Sequence, residues 1–121
     1  MASEARGLLE HWTRAKIELS APDLLRIEVS NVLWKAARAG RCKVAEAQAG
    51  LKILTSYNLP VAPSAALLEL ALRIAIEYER TVYDSFYVAL AVQSGGELIT
   101  ADGKLANALA ACFPVKWLGA M

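Results

Sequence analysis

The sequence predicts an α/β domain in three layers, a short parallel sheet with helices on both faces, and three observations carry that prediction. Short β-type runs alternate with longer segments whose apolar residues recur at helical spacing. The connections are brief and rich in Pro, Gly, Asn and Ser, as right-handed crossovers between parallel strands require. A chain of 121 residues with 56% hydrophobic content can bury a continuous core as one domain, residues 1–121, without staples.

Each element has its own justification. Ser3 to about Lys16 reads as a helix, with Leu8, Leu9 and Trp12 on one side and Glu4, Arg6, Glu10 and Arg14 mostly on the other. His11 lies in it with no other His or Cys at ligand spacing, so it is read as structural or exposed. Ile17 to Ala21 reads as a strand closed by Pro22-Asp23, and Asp23 as the start of a helix running to about Ala39, with Gly40 after it. Val44 to Tyr57 is a helix with Val44, Ala47, Leu51 and Leu54 as its apolar line, and Leu59 to Pro63 a short extended segment. Ser64 caps a helix to about Glu79, whose solvated face shows Glu69, Arg73 and Glu77. Thr81 caps a central helix from Val82 to about Gln93, and Ser94-Gly95-Gly96 turns the chain into a strand from Glu97 to Ala101. Asp102 caps a helix from Gly103 to about Cys112, and Pro114 to Leu118, including Trp117, reads as an edge strand.

Charge and cysteine usage narrow the function. A net charge of +1 advertises no global basic field, so a nucleic-acid partner would have to meet a local patch. Cys42 and Cys112 show no Cys-x-x-Cys spacing and are expected as buried free thiols in a reducing cytoplasm, with no zinc site. The N-terminal stretch lacks the apolar core of a signal peptide, and the run Phe86 to Val92 is too short to span a bilayer. A soluble cytoplasmic protein with no membrane partner is expected.

The chemistry is sought in three acids. Asp84 falls in the first turn of an otherwise apolar helix, where it either completes a capping box with Thr81 or is held to bind a cation. Glu28 borders the stripe of Leu25, Val29, Val32 and Leu33, forming with Asn31 and Lys35 a narrow polar line; Lys35 or water is its plain partner. Asp102 is accounted for singly by helix capping. In a parallel α/β architecture, however, strand C-termini and helix N-termini share one edge, and Glu28 lies about 7 Å along its helix from it. Three carboxylates meeting there repel one another, a cost that a divalent cation removes. Oxygen-only ligands favour Mg²⁺ or Mn²⁺, and a hard cation so held suits phosphodiester hydrolysis. The bases Lys35, Arg38, Arg41 and Lys43 first complement a helix C-terminus, with phosphate binding a second role.

Three stretches then carry a resemblance: Leu-Ser-Ala-Pro-Asp-Leu-Leu-Arg-Ile-Glu-Val-Ser-Asn-Val-Leu-Trp-Lys, Thr-Val-Tyr-Asp-Ser-Phe-Tyr-Val-Ala-Leu-Ala, and Leu-Ile-Thr-Ala-Asp-Gly-Lys-Leu-Ala-Asn-Ala. In order and spacing they resemble motifs of the PIN-domain ribonucleases, particularly the VapC-type toxins of toxin–antitoxin pairs. The resemblance implies a PIN-like fold, RNA cleavage with Mg²⁺ or Mn²⁺, a homodimer, and an antitoxin whose segment covers the acidic cleft. It makes Glu28, Asp84 and Asp102 the catalytic, metal-holding acids, Thr100 a hydroxyl beside the last, and Asn31 and Ser85 positions that support them. Apart from the resemblance, Arg80 and the cluster Arg38, Arg41 and Lys43 are candidate RNA phosphate contacts, with an exposed, solvated role as their plain reading.

One departure accompanies it. PIN domains open with a central strand ending in an aspartate, whereas Met1-Ala2-Ser3-Glu4 here leads straight into the first helix, and Glu4 is no obvious replacement. The reading therefore expects an N-terminally truncated PIN-like domain whose first strand and first acid are missing and whose activity is impaired. Neighbouring strands would close up or take their pairing from another chain, since unpaired buried backbone is costly, unless the start is misassigned. A non-catalytic PIN-like module that binds an antitoxin-like partner or itself is the rival reading. A phosphoacceptor receiver domain is a third, but its acidic pair and late lysine are not seen.

Overall fold

The computed structural model describes residues 2–13 and 18–120. They form two compact units, one of residues before Ser20 together with those from Ser64 on, the other spanning Ser20–Pro63. The first helix, α1, is Ala2–Thr13, with His11 exposed; the rest of the expected helix, to Lys16, lies outside the described residues.

The Ser20–Pro63 unit starts with a two-residue strand, β1 (Ala21–Pro22), followed by α2 (Leu25–Arg38), α3 (Val44–Ser56) and β2 (Val61–Ala62). β1 and β2 pair in parallel, Ala21 opposite Val61 and Pro22 opposite Ala62. The strand expected over Ile17 to Ala21 is thus shorter and later: Ile17 lies outside the described residues and Glu18–Ser20 take no regular structure. Proline is tolerated because the ladder uses the residues on either side of it. The Ala21 N–H donates to the Pro60 carbonyl at 3.1 Å and the Asp23 N–H to the Ala62 carbonyl at 2.9 Å, so the N–H that Pro22 lacks is the one facing away.

That ladder also corrects the expected helix start. Asp23 is held at the strand end, and α2 begins two residues later behind Leu24, which makes no side-chain cap bond. The shift brings Glu28 into the first turn of α2. Gly40, at φ +73°, turns the chain away after the helix. α3 opens with the Lys43 N–H donating to Glu46 Oε1 at 2.9 Å, and α2 packs on α3 with Leu33 against Gly50. Neither helix has a fully buried residue; Val32, expected on the buried stripe, is largely exposed, as are Ile27, Trp34, Val44 and Ile53.

The other unit holds the tighter core. Ser64–Leu67 is a 3₁₀ turn rather than the first turn of the expected α-helix, and it leads into α4 (Leu68–Tyr78). Leu67, Ala71, Ile74 and Ala75 are buried, and α4 packs on α5 (Val82–Ser94), whose Ser85, Phe86, Val88, Ala89 and Ala91 are buried in turn. α4 ends where Glu79 adopts the left-handed conformation, and α5 where Gly95 does, each letting the chain reverse. The strand β3 (Leu98–Thr100) pairs in parallel with β4 (Val115–Trp117), in the register Leu98–Val115, Ile99–Lys116 and Thr100–Trp117. Between them α6 (Gly103–Leu109) stops short of Cys112, because Cys112 and Phe113 both donate N–H groups to the Leu109 carbonyl and turn the chain. Tyr78 meets Phe113 edge to face, ring centroids 4.9 Å apart.

Parallel pairing and alternating helices agree with the expected class. The strands form two separate pairs, and no strand among the described residues joins them. Both cysteines are free, but Cys42 is half-buried and Cys112 exposed, since both fall in turns rather than on buried helical faces. Among the described residues no helix is long and apolar enough to cross a membrane.

Candidate metal centre

Thr81 fixes the start of α5. Its backbone is extended, and its Oγ1 accepts the backbone N–H of Asp84 at 3.1 Å, satisfying one of the orphan donors of the first turn. Ser85, fully buried, donates its hydroxyl to the Thr81 carbonyl at 2.8 Å, while its own N–H reaches the same oxygen at 3.1 Å. The turn carrying Asp84 is therefore tied down from both sides. The Asp84 carboxylate, half-buried, has no hydrogen-bond or ion-pair partner among the described residues. The reciprocal half of a capping box is not made, so capping does not account for the carboxylate.

Asp102 is built differently. It stands two residues after the end of β3, and its Oδ1 accepts two backbone N–H groups, from Lys104 at 3.0 Å and Leu105 at 3.1 Å. Thr100 Oγ1 accepts the Asp102 N–H at 3.0 Å, so the threonine at the strand end orients the acid after it. Capping uses one carboxylate oxygen, and no hydrogen bond among the described residues engages Oδ2. A three-residue turn reverses the chain between α5 and β3, and both α5 and α6 pack on β3. By that topology the start of α5 and the end of β3 lie towards one end of this unit, Asp84 and Asp102 with them.

Glu28, in the other unit, is half-buried in the first turn of α2, with Asn31 exposed one turn on. The donor chemistry of these positions, carboxylate oxygens with a neighbouring hydroxyl and no His or Cys, fits a hard divalent cation. Among the described residues, however, no three His, Cys, Asp or Glu side chains are gathered into a set able to hold one.

The basic candidates separate. Arg38 is engaged with Trp34, its guanidinium 5.3 Å from the ring centroid, and Arg41 and Lys43 are exposed beside the α2–α3 turn. Arg80 is half-buried immediately before Thr81, and its Nε is shielded from solvent with no hydrogen-bond partner among the described residues. An unpaired buried donor is costly, so the Arg80 Nε is an unsatisfied group at the start of α5.

Trp117 was given no site role by the sequence. The register sets it opposite Thr100, two residues before Asp102, and its indole rests against Gly119 and beside Gly103 while staying 42% exposed. With Asn107 and Lys116 it lines an open groove of about 480 Å³. Only the strand register brings it there, and a single sequence does not carry that information.

The comparisons follow the geometry. The sequence model of the PIN domain family matches residues 2–109. Ribonuclease VapC3 of Pyrobaculum aerophilum is 42% identical over 92 residues, which cover 74% of this chain and 70% of that protein. Exonuclease VapC9 of the same organism is 36% identical over 108 residues, covering 86% of this chain and 79% of its own length.

Proposed function

Because this chain belongs to the PIN-domain family, we propose that it is a divalent-metal-dependent ribonuclease, the toxin of a cytoplasmic toxin–antitoxin pair, with Asp84 and Asp102 holding the metal and Glu28 a further candidate acid. The names of its relatives, a ribonuclease and an exonuclease, support the nuclease reading. The observation that carries the site is the unpartnered carboxylate of Asp84 on a turn that Thr81 and Ser85 make rigid.

When bound, Mg²⁺ or Mn²⁺ would supply activation of water and neutralisation of the phosphate charge. The chain's own residues do the rest. The Lys104 and Leu105 N–H groups fix one carboxylate oxygen of Asp102 and Thr100 holds its backbone N–H, which leaves the other oxygen for a ligand. Ser85 holds the α5 turn, and Asn31 stands one turn from Glu28 as a polar support. Arg80 receives a phosphate of the RNA, and Trp117 offers its exposed indole to an unstacked base, as single-strand recognition requires. An antitoxin segment would inhibit by covering the acids, and the active form is a homodimer.

A non-catalytic binding module remains the second reading, favoured by one observation: no three acids stand assembled among the described residues. RNA cleavage with Mn²⁺, with EDTA as control, separates the two. The proposal expects EDTA-sensitive cleavage that is lost in Asp84→Asn; a partner-binding module leaves RNA intact under every condition.

A further inference from the structure

Helix α6 packs on strand β4, and the groove between them is lined by Gly103 and Asn107 from the helix and by Lys116 and Trp117 from the strand. Gly103 directly follows Asp102, so the groove begins beside that acid. A glycine seats the tryptophan. A Cβ on Gly119 would lie 2.5 Å from Cζ2 and 2.7 Å from Cε2 and Cη2 of the Trp117 indole, closer than a real Cβ approaches. Nearly equal distances to three consecutive ring atoms set that point over the face of the ring rather than beyond its edge. Gly119 does not have a left-handed backbone, so the turn of the chain does not demand glycine there; the indole does. With one face laid on bare backbone, Trp117 is still 42% exposed and lines the groove.

We propose that this groove is a nucleobase subsite: one unstacked base of single-stranded RNA lies on the indole, Gly119 positions the ring for it, and the Asn107 side-chain amide bonds the edge of the base. The inference rests on the ribonuclease reading above and adds to it the residues that hold the base. Asn107 stands four positions after Gly103 on the same face of α6, and a Cβ on Gly103 would be 3.8 Å from the indole Nε1, so the amide lies one helical turn from the ring. That amide presents a donor and an acceptor side by side. The edge of an unstacked base offers the same pair in return, and single-stranded RNA is read along such edges. The charge at the groove suits a polyanion: Lys116 lines it, Lys104 is exposed next to Gly103, and among the described residues no acid lines it. Stacking supplies affinity without regard to sequence, and Lys116 answers the phosphate of the same nucleotide.

Fluorescence anisotropy of a labelled single-stranded oligoadenylate and of a fully abasic oligonucleotide of the same length tests this. The full chain is used in EDTA, which stops metal-dependent cleavage, and circular dichroism confirms the folding of each variant. The wild type is expected to bind the intact RNA about tenfold more tightly than the abasic one. Trp117→Ala is expected to remove that preference, and Gly119→Ala to reduce it about threefold or more although the tryptophan is retained. Asn107→Ala is expected to reduce it about threefold, and affinity for the abasic chain stays the same in all three variants. A merely structural Gly119 would lower the melting temperature and leave the preference for bases as it is in the wild type. Equal affinity of the wild type for the two oligonucleotides, or a preference that survives both W117A and G119A, overturns the subsite, and a preference that survives N107A takes the amide out of it. Intact RNA left unbound in EDTA also overturns the subsite and leaves the groove to a protein partner. Cleavage with Mn²⁺ is scored separately and decides the ribonuclease reading on its own.

Discussion

Thr81 and Asp84 are joined in one direction only: the threonine Oγ1 accepts the aspartate N–H at 3.1 Å, and the aspartate carboxylate returns nothing to Thr81. The two residues thus divide the labour of the helix start. One stabilises the helix start through its side chain, and the carboxylate of the other takes no part in that bond.

That division predicts opposite phenotypes. Thr81→Ala should cost about 1 kcal/mol of stability through the lost cap. Asp84→Asn should cost no more than the modest attraction between a carboxylate and the helix start, about 0.5 kcal/mol, while removing cleavage by about a hundredfold or more. Thermal melts and initial rates on one RNA substrate measure both. An Asp84→Asn protein that melts far below the wild type shows the acid to be structural.

Asp102 combines both roles, and its variants separate them. Asparagine keeps an oxygen that can accept the N–H groups of Lys104 and Leu105, so Asp102→Asn should fold almost as well as the wild type yet lose activity. Asp102→Ala should lose activity and about 1 kcal/mol of stability together. Equal melting temperatures for the two variants contradict the capping geometry.

Trp117 should act on binding rather than on the chemical step. If its exposed indole stacks on a base, Trp117→Ala raises KM for single-stranded RNA by about tenfold with kcat little changed, and Trp117→Phe recovers most of the loss. An equal fall in kcat for both variants removes it from the binding surface.

Alkaline pH tests the packing of α4. Partial burial, then the neighbouring Cys112 and Glu77 and a hydrogen bond with Cys112, raise the Tyr78 hydroxyl above its ordinary value of 10.0. The fold therefore favours the protonated phenol. Its contribution is complete below pH 10.0 and is lost as pH rises through the raised value, because the unfolded chain releases the proton first. Melting temperature against pH should fall less steeply in this range for Tyr78→Phe than for the wild type.

Much of this was legible in the sequence, where local chemistry decides the outcome. Thr81 as cap, Asp84 in the first turn and Asp102 as the cap of the next helix are short-range patterns, and the structure reproduces each, while the strand before Asp102 ends at Thr100 rather than Ala101. What escaped depends on partners distant in the chain. Asp23 has the composition of a helix cap, but its N–H is taken by Ala62, some forty positions on, so α2 starts later. Val32 and Ile76 have the hydrophobicity of core residues, and only the packing of neighbouring elements leaves them exposed. The place of Trp117 beside Thr100 follows from strand register, and the unsatisfied Nε of Arg80 from burial.

The central claim is the proposed one that Asp84 and Asp102 hold a divalent cation, with Glu28 a further candidate acid. Titration of the metal-free protein with Mn²⁺, followed by calorimetry, tests it most directly in the wild type and in Glu28→Gln, Asp84→Asn and Asp102→Asn. The account predicts saturable binding by the wild type and affinity reduced about tenfold or more in every one of the three variants. Unchanged Mn²⁺ affinity in any of them takes that acid out of the site, and no binding by the wild type contradicts the account as a whole.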